Sequence, residues 1–198
     1  MKSNRMEAFS DGVFAIIITI MVLELKVPHG SDLSALKPVL PVFLNYVLSF
    51  IYLGIYWNNH HHLLQACARV SGRILWANLH LLFWLSLFPF VTGWLGENNF
   101  TSIPSALYGT VLLFAAIAYY ILQNLIIAEQ GGCQSKLAIA IGKDWKGKLS
   151  PVLYAAAIGA SFLRPWIAGC IYILVALMWL VPDRRIERAV YNSRQSDF

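Results

Sequence analysis

The sequence predicts an all-α integral membrane protein with six transmembrane helices, and three observations support this prediction. Hydrophobic residues make up 58% of the 198 residues and charged residues only 13%, with a mean hydropathy of +0.60. A soluble domain has roughly a quarter charged residues, so this chain has too little charge to cover a surface that faces water. In addition, the apolar residues form six long runs, and most of the basic residues lie between these runs.

The six runs predict the spans in order, because a helix needs roughly 20 mostly apolar residues to cross a bilayer. The predicted spans are residues 8–25, 41–62, 74–95, 103–127, 149–163 and 165–181. The fifth and sixth spans are short and are joined at Arg164, which predicts a helical hairpin. Pro165 suits the first turn of a helix, where its missing N–H loses no hydrogen bond.

The basic residues predict the orientation of these spans. Twelve of the fifteen Lys and Arg residues fall on one side of a six-span model, and only Lys26, Lys37 and Arg164 fall on the other. The positive-inside rule therefore places both termini, including a basic tail at residues 184–198, in the cytoplasm. The net charge of +5 is explained by topology and by attraction to lipid headgroups, so we expect membrane lipids and no nucleic acid as partners.

The first span carries the most informative pattern of the chain. An α-helix turns about 100° per residue, so an apolar stripe forms on one face, and its members are Ile16, Thr19, Ile20 and Leu23. Ser10 and Asp11 lie about 120° and 140° away from Ile16 on the same wheel. Such a stripe is typical of lipid contact or helix packing, but the short span, its threonine and the polar first turns favour a pore-lining role.

An ionisable group at the start of an apolar helix needs a partner, because a buried carboxylate must be satisfied. The end of the second span lies on the same predicted side as Asp11 and offers Trp57, Asn58 and His61. Asn78 and His80, near the start of the third span, are further candidates. We therefore predict that these side chains orient the first helix through hydrogen bonds to Ser10 and Asp11.

The sequence predicts no metal site and no cofactor. The three histidines at residues 60–62 are metal-ligating residue types, but adjacent residues of a helix point in different directions, and no cysteine or carboxylate is close in sequence. Cys67, Cys133 and Cys170 match no metal-binding spacing, so we expect free thiols.

The opening pattern of Arg5, Phe9, Ser10 and Asp11, spaced as RxxxFSD, resembles the signature of the transmembrane protein 175 family, the lysosomal potassium channels and their bacterial relatives. The resemblance continues through residues 16–23, the end of the second span that is rich in Trp, Asn and His, and the six-span plan. It implies a potassium-preferring cation channel, rather than an enzyme, that lacks the TVGYG filter of ordinary potassium channels. No TVGYG sequence occurs in this chain.

The resemblance also implies an assembly and roles for the candidate residues. A single six-span repeat is similar to the bacterial members, which form homotetramers in the inner (plasma) membrane and pass K⁺ and, more weakly, other monovalent cations. The first helix of each subunit would line the pore, with Ile16, Ile20 and Leu23 at a hydrophobic constriction and Thr19 as a polar lining residue. The four residues of the RxxxFSD signature would orient this helix against the second and third spans, and they are Arg5, Phe9, Ser10 and Asp11.

Two other functions are compatible with a polytopic membrane protein. A proton-coupled transporter would need ionisable groups near the middle of the membrane and, usually, inverted repeats. A membrane-embedded enzyme would need a site that activates water. The central stretches of the six spans carry almost no charge and show no repeat, so the sequence favours the channel and keeps the transporter as the alternative.

Overall fold

The computed structural model describes residues 4–67, 69–132, 135–142 and 144–180, and every regular element in this part of the chain is helical. A 3-10 helix at Leu33–Val39 precedes the second α-helix. The α-helices are α1 (Asn4–Leu23), α2 (Leu40–Gln65), α3 (Gly72–Ser86), α4 (Phe88–Glu97), α5 (Ser102–Glu129), α6 (Lys136–Ile141), α7 (Trp145–Leu163) and α8 (Pro165–Leu180). The predicted tail at residues 184–198 lies outside the described residues.

Four helical segments of the described chain are long and apolar enough to cross a membrane, at Asn4–Leu23, Leu33–Gln65, Gly72–Glu97 and Ser102–Glu129. They coincide with the first four predicted spans. The segment Pro165–Leu180 is apolar but shorter, and it pairs with α7 across Arg164 as the predicted hairpin.

The third predicted span differs from the structure, because two consecutive helices, α3 and α4, replace the single helix. The break falls at Leu87, two residues before Pro89. Proline has no N–H to donate to the preceding turn and disfavours helical geometry in its neighbour. The backbone N–H of Leu87 bonds to the carbonyl of Trp84, three residues back, so the chain makes one tight turn before α4 begins.

Close helix packing gives the bundle its core. Helix α5 packs against α3, α4 and α7, and α1 packs against α2, α3 and α4. A Cβ atom on Gly109 of α5 would lie 2.2 Å from the hydroxyl oxygen of Tyr172, so only glycine allows α8 to approach here. The Tyr172 hydroxyl donates to the carbonyl of Ser105 at 2.9 Å, which fixes α8 against α5.

Helix α2 is held in the bundle by buried hydroxyl groups and amides. The hydroxyls of Ser49 and Tyr108 lie 2.9 Å apart, and Thr92 donates to Ser49 at 2.7 Å. The side chain of Asn45 donates to the carbonyl of Thr92 at 2.6 Å. Helices α2, α4 and α5 therefore form a fixed support against which α1 lies.

Candidate functional site

Helix α1 has one face packed against its neighbours and one face exposed in the single chain. The packed face is apolar apart from one hydroxyl, and its residues are Met6, Ser10, Phe14, Ile17 and Met21. On the opposite face, Ile16 is 60% exposed, Ile20 43% and Leu23 76%. Thr19 lies among them, and its hydroxyl donates to the carbonyl of Ala15 at 2.8 Å. The predicted stripe is therefore a continuous exposed surface, and Ile16 at its centre lies about 140° round the helix from Asp11.

A buried chain of hydrogen bonds connects α1 to α3 and α2. The amide of Asn78 donates to the Ser10 hydroxyl at 3.0 Å, and this hydroxyl donates to the carbonyl of Met6 at 2.8 Å. The oxygen of the same amide lies 2.7 Å from Nε2 of His60. Because an amide oxygen can only accept, the imidazole donates here. Ser10, Asn78 and His60 are at most 2% exposed, so this chain lies in the interior.

A second, more accessible set of contacts lies at the same level of α1, about 100° round the helix from Ser10. The indole N–H of Trp57 donates to a carboxylate oxygen of Asp11 at 3.0 Å. The ring of His61 stacks on Trp57 with a centroid separation of 5.9 Å, and its Nδ1 lies 2.8 Å from a carboxylate oxygen of Glu7. The other ring nitrogen of His61 lies 2.7 Å from the amide of Gln65. A neutral imidazole satisfies both contacts, since one nitrogen donates and the other accepts.

The structure brings some of the predicted orienting residues together and separates others. Ser10 meets Asn78, and Asp11 meets Trp57, while Arg5 lies exposed at the start of α1. Phe9 is 56% exposed, so its ring lies on the outer side of α1 and not in the buried network. Asn58 is partly buried, and the described hydrogen bonds do not connect it to α1.

The prediction that His80 helps to orient α1 disagrees with the structure. His80 is exposed and accepts a hydrogen bond from the indole N–H of Trp84, on its own helix, at 3.0 Å. It follows Asn78 by two residues, which places it about 200° further round α3. Asn78 points to α1, so His80 points away from it.

The sequence interpretation missed two members of this site, Glu7 and His60. Helical spacing could have found Glu7, because Glu7 and Asp11 lie one turn apart on α1, as their partners His61 and Trp57 do on α2. The histidines at residues 60 and 61 point to different helices. Within the described part of the chain, no group of three His, Cys, Asp or Glu side chains could hold a metal ion.

Comparison with known proteins places this helix arrangement in a family. A model of the endosomal/lysosomal potassium channel TMEM175 matches residues 5–89. A protein of Chryseobacterium sp. strain P1-3, named a potassium channel, is 57% identical over 190 residues, which are 96% of this chain and 98% of that protein. The chain belongs to the TMEM175 family. A protein of Streptomyces collinus, also named a potassium channel, is 37% identical over 60% of this chain and 61% of its own length.

A solved structure shares the fold of this TMEM175 member. The crystal structure of a lysosomal potassium-selective channel TMEM175 homolog from Chamaesiphon minutus superimposes with a TM-score of 0.75. It is 28% identical and covers 91% of this chain and 97% of the other. The residues matched by the TMEM175 model include α2, α3 and all of α1 except its first residue, and therefore the exposed stripe and both sets of anchoring contacts. These matches identify a family of channels rather than of enzymes.

Proposed function

We propose that this protein is a potassium-preferring cation channel in which four copies of α1 line a central pore. The observation that carries the proposal is that α1 has one packed face and one exposed apolar face. Ile16, Ile20 and Leu23 lie on the exposed face of the single chain. Membership of the TMEM175 family and the relatives that are named potassium channels support the same function.

Fourfold symmetry explains how an apolar surface serves ion conduction. Closed rotational symmetry is the usual solution for identical subunits, and in a homotetramer each stripe residue becomes a ring of four. A ring of four isoleucine side chains makes a hydrophobic constriction, which can open and close by wetting and dewetting. We assign Ile16, Ile20 and Leu23 to such rings and Thr19 to the polar lining between them.

This constriction favours potassium through hydration rather than through a carbonyl cage. The chain has no TVGYG segment, so no ring of backbone carbonyls of that type replaces the water around the ion. Potassium loses part of its hydration shell more easily than sodium does, which gives a preference of modest size. We therefore expect K⁺ to permeate best and other monovalent cations to permeate more weakly, with no cofactor required.

The anchoring contacts give α1 a fixed orientation in this scheme. In the interior, Ser10, Asn78 and His60 connect three helices, and Asp11 and Trp57 add a second contact nearer the surface. In a low-dielectric interior, a satisfied polar network specifies a single arrangement, since any other arrangement leaves a polar group unpaired. We propose that this network keeps the stripe directed towards the pore axis.

We further propose six membrane crossings with both termini in the cytoplasm, in the inner (plasma) membrane of a bacterium. Four long apolar helical segments supply four crossings, and the α7–α8 hairpin supplies two shorter ones. The excess of Lys and Arg at one end of the bundle supports this orientation. Lipid would then contact the apolar outer surface of the tetramer.

A flux assay tests the channel function. The purified protein is reconstituted in liposomes that contain KCl and are diluted into medium with N-methylglucamine or sodium, while a dye reports proton uptake and valinomycin gives the maximum signal. Potassium efflux down its gradient without a coupled substrate is the expected result. Efflux that occurs only with a stoichiometric counter-ion would refute the proposed channel function and favour a proton-coupled transporter. Native mass measurement of the same sample is expected to show four chains.

A further inference from the structure

A small cavity lies inside the bundle, between α2, α5, α7 and α8. Its volume is about 40 Å³, and a buried water molecule needs roughly 10–15 Å³ on this measure, so the cavity has room for about three groups of that size. Much of its wall is aromatic, and the rings belong to Tyr52, Tyr56, Tyr119, Tyr120, Tyr154 and Trp179. The cavity therefore suits a short molecule that packs against aromatic rings.

The wall of this cavity also contains one carboxylate, that of Asp144. The backbone N–H of Gly147 donates to its Oδ1 at 3.0 Å, and the side-chain amide of Gln123 donates to its Oδ2 at 3.1 Å. A Cβ atom on residue 147 would clash with this carboxylate, so glycine allows the close approach. A carboxylate has about four acceptor sites, and these two bonds therefore leave capacity for another donor.

Within the described part of the chain, no ion pair includes Asp144. The ion pairs between described residues join Lys26 to Glu97 and His61 to Glu7. Asp144 is nevertheless partly buried, and a carboxylate removed from water without a counter-charge costs free energy. A cation bound in the cavity would lower this cost.

Two further oxygen atoms of the wall are available as acceptors. Tyr56 is only 9% exposed, yet its hydroxyl takes part in none of the hydrogen bonds between described residues. The side-chain amide of Asn59 donates to the carbonyl of Ile55 at 2.8 Å, and its oxygen accepts no hydrogen bond from the described residues. A primary ammonium has three N–H donors, and the wall offers a carboxylate, a hydroxyl and an amide oxygen.

We propose that this cavity binds a primary alkylammonium ion of about three heavy atoms, with its charge at Asp144 and its alkyl part against the aromatic rings. The faces of Tyr and Trp rings attract cations, and the same rings provide apolar contact for the alkyl part. A potassium ion is less suited to this wall, because it needs oxygen atoms in place of its hydration shell and most of the wall is apolar. The proposal adds a second site to the protein and does not require α1 to line a pore.

Equilibrium dialysis of the full chain in detergent micelles tests the proposal, with radiolabelled ethylammonium in a sodium buffer that contains no other amine. Ethylammonium has three heavy atoms and is charged at neutral pH. We expect saturable binding of one ion per chain and a higher melting temperature, because a ligand that binds only the folded state stabilises it. Ethanol has the same number of heavy atoms and no charge, so at equal concentration it should not displace ethylammonium.

Two variants test the polar contacts. Asp144→Asn removes the charge with little change in the backbone, because asparagine also caps helices and tolerates the left-handed conformation of this residue, whose φ is 34°. It should weaken binding about tenfold or more, as expected for the loss of a hydrogen bond to a charged group. Tyr56→Phe should weaken binding by a smaller factor. Asp32→Asn and Tyr46→Phe make the same changes outside the cavity wall and should bind like the unmodified protein.

Several results would overturn the ammonium site. They are no binding to the unmodified protein, equal affinity in Asp144→Asn, and displacement of ethylammonium by ethanol or by K⁺ at equal concentration. If circular dichroism shows that Asp144→Asn does not fold, Tyr56→Phe provides the test, and an unchanged affinity there would overturn the proposal. Because binding is measured rather than current, an absence of potassium flux would contradict the proposed channel function and leave this site standing.

Discussion

Removing the Ser10 hydroxyl tests the idea that buried hydrogen bonds fix the first helix. Ser10→Ala removes the acceptor of the Asn78 amide, which lies 3.0 Å away in the interior. A buried donor left without a partner costs about 1–3 kcal/mol. Since about 1.4 kcal/mol is a factor of ten in an equilibrium constant, the unfolding equilibrium should shift towards the unfolded state by roughly 5-fold to 150-fold.

A second buried serine provides the matched control. Ser161 is 0% exposed, as Ser10 is, and its hydroxyl donates to the carbonyl of Ile158 in its own helix at 2.6 Å. Ser161→Ala removes a similar local bond without opening the contact between α1 and α3, so we expect a loss below about 1 kcal/mol. The measurement is unfolding in mixed micelles, followed by circular dichroism. Equal losses in the two variants, within about 0.5 kcal/mol, would refute the reasoning.

Three further predictions concern the pore, the outer anchor and the core. Ile16→Asn in all four subunits of the proposed homotetramer should wet the proposed constriction and reduce the preference for K⁺ over Na⁺, and unchanged reversal potentials would show that Ile16 does not form it. Asp11→Ala leaves the indole N–H of Trp57 without its acceptor, so gel filtration should show less of the proposed tetramer, while the channels that do assemble keep their selectivity. Normal assembly with lost selectivity would instead indicate that Asp11 contacts the ions. Gly109→Ala should destabilise the bundle by about 1–3 kcal/mol because its Cβ meets the Tyr172 hydroxyl, whereas Gly159→Ala, with open space around its Cβ, should not lower the melting temperature.

The parts of the site that depend on one helix could be predicted from the sequence. The opposition of Ser10 to Ile16 follows from the geometry of an α-helix, and the structure places these residues on packed and exposed faces accordingly. The hairpin across Arg164 follows from a short connection between two apolar runs. Both predictions use only the fixed angle or length per residue of regular structure.

The contacts that depend on how one helix is rotated against another could not be predicted from the sequence in the same way. The polar side chains near the end of α2 follow one another closely in sequence, at Asn58, His60 and His61. His60 nevertheless contacts Asn78 of α3, whereas His61 contacts Glu7 of α1. Which residue faces which neighbour depends on packing between α1, α2 and α3, and the sequence pattern alone contains no such information. The break at Leu87 was missed for a different reason, because an apolar run continues through it and only Pro89 indicates a turn.

Residues 12–15 connect the anchored part of α1 to the exposed stripe, and their number fixes the angle between the two. Phe14 is buried in the core, whereas Gly12 has open space where a Cβ would stand and Ala15 is exposed, so substitution at these two positions has little to disturb. One inserted residue would instead turn Ile16, Ile20 and Leu23 by about 100° relative to Ser10. The segment therefore sets the direction of the stripe: it tolerates substitution at Gly12 and Ala15, whereas a change of length would direct a different face of α1 to the position that the isoleucines now occupy.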